Sequence, residues 1–146
     1  MNALENKMLK ILKDLKENHH VTGVKAEFEA EGTRIEEALR LKEVVTKAGL
    51  ELTIKIGGCE AIKDMYDARA IGVTNLVGPM IESPYALRKF LLSAKNTFPK
   101  DERKEVNFFI NIETIDGYRN FERMLEVKEI KELNGIVLGR VDMAGS

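Results

Sequence analysis

A single cysteine, Cys59, leaves no internal disulfide to form and suits a reducing, cytoplasmic setting. Prolines number three, and no low-complexity or linker-like stretch interrupts the chain. Its 146 residues therefore read as one domain, long enough to bury a proper core. Neither sign of charge dominates: 23 Lys and Arg stand against 24 Asp and Glu, dispersed along helical segments. The basic footprint of a nucleic-acid surface is missing. No run reaches the roughly 20 apolar residues of a membrane span, and Met1 leads into no signal-like apolar segment. These absences leave an expectation of a soluble, cytoplasmic protein that engages neither nucleic acid nor membrane.

What the sequence does have is alternation. In Val24-Lys25-Ala26-Glu27-Phe28-Glu29, every second residue is charged. Leu52-Thr53-Ile54-Lys55-Ile56 repeats the pattern with Lys55, and Val106 to Glu113 sets Asn107, Asn111 and Glu113 apart from apolar neighbours. Val137 to Asp142, taken as strand, offers Arg140 and Asp142 on one face. Successive strand side chains point to opposite faces, so each such strand has one apolar face and one that gains charge towards its C-terminal end. A parallel sheet covered by helices cannot turn a polar face to bulk water. That face is expected to line an enclosed functional interior, and barrel active sites lie at strand C-termini.

The order of elements is a strict alternation. A stripe of Leu4, Met8, Ile11, Leu12 and Leu15 predicts a helix from about Ala3 to Asn18. After the first strand, Thr33 with Glu36 forms a capping-box pattern that opens a helix ending at Gly49. Gly57-Gly58 follows the second strand and opens a helix closed by Gly72. A third strand, Asn75 to Ile81, precedes Ser83-Pro84, an N-cap with proline at the first helical position. The fourth strand ends at Glu113, with a helix near Asp116 to Leu125 and a short one near Lys128 to Leu133. The fifth strand is expected over Gly135 to Val141. Alternating βα units imply a parallel sheet with right-handed crossovers. A doubly wound sheet would have central strands apolar on both faces; a closed barrel admits polar residues near its upper rim. The polar faces favour an α/β fold of the (β/α)₈ TIM-barrel type. Such a barrel takes ~250 residues, so the chain reads as an incomplete one: an N-terminal helix over 1–20, then about five parallel strands over 21–146. Two sheet edges with unpaired backbone predict a homo-oligomer or a missing C-terminal segment.

Three motifs carry a resemblance. Leu76-Val77-Gly78-Pro79-Met80-Ile81-Glu82-Ser83, Asn111-Ile112-Glu113-Thr114 and Gly139-Arg140-Val141-Asp142-Met143-Ala144-Gly145-Ser146 resemble, in order and spacing, the "vvPMVes", "QIET" and "GPADLaaS" motifs of the HpcH/HpaI aldolase and citrate-lyase β-subunit family. The match covers roughly Gly23 to the C-terminus. The resemblance implies a (β/α)₈ barrel that binds a divalent cation, Mg²⁺ or Mn²⁺, and makes or breaks carbon–carbon bonds next to a 2-oxo acid such as pyruvate. It implies Glu113 and Asp142 as the cation's protein ligands. Two inward carboxylates on neighbouring strands form, by their own chemistry, a hard oxygen site of the kind Mg²⁺ or Mn²⁺ favours. The alternative for Glu113 is an ion pair with Arg140 or Lys55.

Other positions carry narrower expectations. Lys55 stands where the family usually has arginine against the substrate carbonyl; lysine keeps the charge and loses the bidentate fork. Asn111 replaces glutamine as a substrate hydrogen-bonding residue, and Pro79 belongs to the motif that lines the substrate side. Glu27 and Glu29 lie where the aldolases have Asp-x-Glu-His, with Ala30 at the histidine position. Either glutamate acts as the general base, or Lys25, Glu27 and Glu29 form internal ion pairs with Lys55 and Arg140. Arg140, where the family has proline, grips a substrate carboxylate or neutralises the neighbouring Asp142. Gly57-Gly58 either cradles a carboxylate or phosphate at a helix start or simply makes a tight turn. His19-His20 has no ligand partner nearby in sequence, and Cys59 has no histidine to activate it. Met80, where the citrate-lyase branch tends to carry lysine, leans towards small oxo acids over acyl-coenzyme A.

The expected function is a divalent-metal-dependent carbon–carbon lyase, or aldolase, acting on a small 2-oxo acid and an aldehyde. Three alternatives stand beside it. One is a citrate-lyase-like acyl-CoA lyase, another a non-catalytic barrel fragment that self-associates, and the last a carboxylate-binding regulatory module needing no metal.

Overall fold

The five strand-like runs become five parallel strands in a single sheet, in a computed structural model that describes residues 1–146. The strands are β1 (Gly23–Glu27), β2 (Glu51–Lys55), β3 (Asn75–Gly78), β4 (Asn107–Ile112) and β5 (Gly135–Leu138), and their spatial order is the chain order, β1-β2-β3-β4-β5. Such sequential order is that of a barrel wall, here an open one with β1 and β5 at its edges. Helices α1 (Ala3–His19), α2 (Ile35–Ala48), α3 (Ile62–Ile71), α4 (Pro84–Thr97), α5 (Ile115–Arg119), α6 (Phe121–Leu125) and α7 (Arg140–Gly145) occupy the connections. None is long and apolar enough to cross a membrane.

The helix boundaries follow local chemistry. Gly49 and Gly72 take left-handed conformations, φ 68° and 73°, at the ends of α2 and α3, where a side chain would be strained. Ser83 Oγ accepts the Ala86 N–H, and Pro84 opens α4, as the sequence predicts. The cap of α2 lies one residue later than Thr33: Arg34 is the N-cap, and Glu37 accepts its N–H. The Thr33 N–H instead closes onto the Glu27 carbonyl. The helix expected near Asp116 to Leu125 is broken at Asn120, whose amide donates to the Glu82 carbonyl.

Register explains the alternation. Lys25 pairs with Thr53, and Glu27 with Lys55; Thr53 then meets Asn75, and Asn75 meets Asn107. All of these side chains share one face. On the other face lie Ala26, Leu52, Ile54, Leu76, Phe108, Ile110 and Ile112, all buried in one core with Ala38, Val45, Met65, Leu87 and Phe90 from the helices. Phe98 closes the lower end of this layer edge-on to Phe108, ring centroids 5.5 Å apart. Transfer of such apolar area from water supplies most of the folding drive, at ~25 cal/mol per Å². Across the polar face runs a hydrogen-bonded ladder: Asn107 donates to Asn75, which donates to Glu51 and Thr53.

Two strands are shorter than expected. β3 stops at Gly78, because the chain turns at Pro79 and Met80 takes φ 42°. β5 stops at Leu138, and Arg140 and Asp142 lie on α7 instead of on the inward face of a strand. Gly139 makes the last ladder bond, to the Ile112 carbonyl, and the helical bond from Met143 to Gly139 then takes over.

Candidate functional site

The polar face ends, at the C-terminal rim of the strands, in a connected set of charged side chains. Lys55 Nζ lies 3.0 Å from Glu27 Oε1 and 3.8 Å from Glu113 Oε2. Lys25 Nζ holds the other oxygen of Glu27 at 3.0 Å and reaches Glu31 at 3.8 Å. Asn111 donates to Glu113 Oε2 at 2.8 Å, and the Met80 N–H donates to Glu113 Oε1 at 2.8 Å. Four predicted site residues from three strands, Glu27, Lys55, Asn111 and Glu113, are thus brought together. The Glu27 and Glu113 side chains are 7% and 4% exposed, so both carboxylates are shielded from solvent and held by several donors.

Electrostatics sort the two carboxylate candidates for a base. Burial alone raises the Glu27 carboxyl, but hydrogen bonds from Lys25 and Lys55 outweigh it and hold the group below the ordinary glutamate range. A carboxylate so stabilised is a weak base. Glu29 lies just beyond β1, exposed and outside the ion pairs of the rim. Its Oε2 sits against Gly57, where a Cβ would come within 2.7 Å. The Gly57 N–H is already donated to Asp64 Oδ2 at 2.7 Å, so this turn closes on its own helix.

The remaining predicted residues lie apart from this set. Arg140 and Asp142 are exposed on α7, and neither forms an ion pair. The internal pairing weighed for Arg140 with Glu113 therefore falls to Lys55. Pro79 is buried behind Met80. Gly139 abuts Glu113 so closely that a Cβ would lie 2.3 Å from the Glu113 Cβ.

Among solved structures, an HpcH/HpaI aldolase from Desulfitobacterium hafniense DCB-2 superposes on 99% of this chain with a TM-score of 0.77 at 15% identity. The fold is that of the HpcH/HpaI aldolases. An HpcH/HpaI aldolase/citrate lyase family protein from Burkholderia cenocepacia J2315 covers 100% of the chain at TM-score 0.76 and 13% identity. The citrate synthase SbnG covers 94% at 0.74 and 14%. The chain spans 62%, 72% and 59%, respectively, of those three proteins. No protein-family profile matches the sequence, and no curated protein matches it.

Within this fold, the two carboxylates that the family resemblance implies for a cation stand on separate elements, Glu113 just past β4 and Asp142 on α7. No group of three or more His, Cys, Asp or Glu that could hold a metal ion converges anywhere in the chain. Two carboxylates with water completing the shell is a pattern Mg²⁺ accepts. The Asp142 carboxylate is free of ion pairs, and each Glu113 oxygen accepts one hydrogen bond, with Lys55 3.8 Å from Oε2.

Sequence reasoning did not find two supports of the HpcH/HpaI rim. One is the Met80 backbone: a non-glycine residue at positive φ, donating its N–H to Glu113. Such strain concentrates at functional sites, and no side-chain pattern encodes it. The other is Glu82, which accepts from Thr114 Oγ1 at 2.5 Å and so ties the loop after β3 to the cap of α5. The "ES" and "ET" of the two motifs held that pairing in plain view.

Proposed function

We propose that this chain supplies the 2-oxo-acid end of a carbon–carbon lyase of the aldolase type, dependent on a divalent cation such as Mg²⁺ or Mn²⁺. The observation that carries the proposal is the convergence of Lys55, Glu27, Asn111 and Glu113 on the polar face of an HpcH/HpaI fold. Glu113 and Asp142 would hold the cation, which when bound supplies Lewis-acid polarisation of a keto oxygen.

The chain's own residues do the rest. Lys55 presents an ammonium to the oxygen on which negative charge develops as the bond breaks, an electrostatic role whose worth rises where water is excluded. Glu27 holds that ammonium in place. The Asn111 Oδ1 atom is buried without a hydrogen-bond partner, and a hydroxyl or hydrated carbonyl of the substrate fits it as donor. Glu29, unpaired and at the rim, takes the proton that Ala30 cannot. Pyruvate with an aldehyde is the preferred pair. The exposed Met80 at the mouth offers no charge to a coenzyme A phosphate, which disfavours the acyl-CoA alternative.

Deuterium exchange at the pyruvate methyl, followed by NMR with Mg²⁺ or Mn²⁺ and again with EDTA, tests the proposal. Metal-dependent exchange that disappears in Glu113→Gln is expected. Exchange that persists in EDTA, or in Glu113→Gln, overturns the cation's role. Absence of both exchange and metal binding overturns the lyase itself. Metal-independent binding of pyruvate would instead favour a carboxylate-binding module built on Lys55.

A further inference from the structure

At the opposite end of the sheet from the charged rim, a cavity of about 430 Å³ opens between α4, the turn at Glu102–Lys104 and the start of β4. Three cations line it: Lys95, Arg103 and Lys104. None of the three forms an ion pair, whereas Arg69 pairs with Glu102 and Lys89 with Glu60. Arg103 Nη1 is moreover fully buried with no hydrogen-bond partner. A buried guanidinium N–H without an acceptor carries the desolvation cost of a charged donor with nothing to offset it.

We infer that this cavity is a binding site for a small phosphate-bearing molecule. Three cations against the one lining carboxylate, Glu132, leave a net positive hollow. A phosphoryl dianion matches that charge and the fork of Arg103 better than a single carboxylate does. The far wall is apolar, formed by Leu91, Ala94, Val106 and Phe108. The volume lies in the range of small-molecule sites and exceeds what a bare anion fills, so the ligand carries an organic body beside its phosphate. Asn134 accepts the Phe108 N–H through Oδ1, which leaves its Nδ2 as one more donor at the cavity lip. The site is independent of the rim and of the lyase proposal.

The test is titration of the ¹⁵N-labelled protein with inorganic phosphate and with phenyl phosphate, at ionic strength held constant with sodium chloride. Saturable shifts are expected at the amides of Ala94, Arg103, Val106 and Asn134, with phenyl phosphate binding more tightly than phosphate. Arg103→Gln is expected to weaken binding by about tenfold or more, as loss of a charge-assisted bond does. Glu132→Gln is expected to tighten it, a gain that general loss of structure cannot produce. Shifts reproduced by sodium chloride alone, or indifferent to both substitutions, would overturn the inference. Shifts confined to the strand C-termini would overturn it as well and assign the anion to the rim.

Discussion

Glu27 ties the stability of the fold to the charges of the rim. Its carboxyl sits below the ordinary range, burial being outweighed by Lys25 and Lys55. A folded pKa below the unfolded one contributes stability that is present above the unfolded value and lost as pH falls through the folded one. The window therefore opens below roughly pH 4 to 5, the ordinary glutamate range, and extends to lower pH. Glu27→Gln is expected to cost about 1.5–3 kcal/mol at neutral pH, the worth of hydrogen bonds to charged groups. The deficit against the parent should shrink as pH drops through that window. Urea melts of the two proteins between neutral and acid pH check this; a deficit unchanged with pH would assign the loss to packing. Residue-scale legibility was good where type and parity were enough: Glu27, Lys55, Asn111 and Glu113 announced themselves by alternation. It failed where function rests on backbone, since nothing in the letters at Pro79-Met80 says that Met80 takes φ 42° and offers its N–H to Glu113.

At the scale of elements, helices and strands were legible because caps and periodicity agree with the fold at each junction. The exception is the end of β5. Period-two reading carried that strand through Val141, whereas the chain turns into α7 at Arg140. What fixes glycine at this junction is spatial, and so invisible locally: Glu113, just past β4, lies directly beside Gly139 and leaves no room for a Cβ. Gly139→Ala puts a methyl 2.3 Å from the Glu113 Cβ. The φ of Gly139 is −83°, so backbone strain plays no part; crowding alone is expected to cost about 1–3 kcal/mol and to push Glu113 off Asn111 and the Met80 N–H. Denaturant midpoints measure the first effect, and the loss of metal-dependent pyruvate exchange measures the second. A variant as stable as the parent would show that the β4–β5 junction yields more easily than its geometry implies.

For the whole molecule, the sheet has two open edges. β5 presents Ile136, Val137 and Leu138, which are 40%, 42% and 69% exposed, on a strand whose outer backbone groups have no neighbour. An exposed apolar edge strand is a template for pairing. The isolated chain is expected to associate with itself in a concentration-dependent way through β5, and Leu138→Lys is expected to reduce that association, since a charge blunts an edge. Sedimentation velocity over a range of concentrations reads both. A parent protein that stays monomeric throughout would remove the self-associating reading. The sequence foretold the sheet and its open form from element order and length; it did not foretell the basic cavity at the base, because Lys95, Arg103 and Lys104 belong to two elements that only folding brings together.

The ladder of alternating faces has a consequence for how this protein tolerates change. On β1, β2 and β4, residues of one parity build the hydrophobic layer and residues of the other lead to the rim. Core and polar rim are thereby written on the same strands in interleaved, nearly separate scripts. A saturation-mutagenesis map of these strands should split into two combs of period two. In one, stability falls steeply; in the other, stability changes less and the proposed chemistry is lost. Such a chain can acquire a new reaction by editing one comb while the other holds the scaffold still.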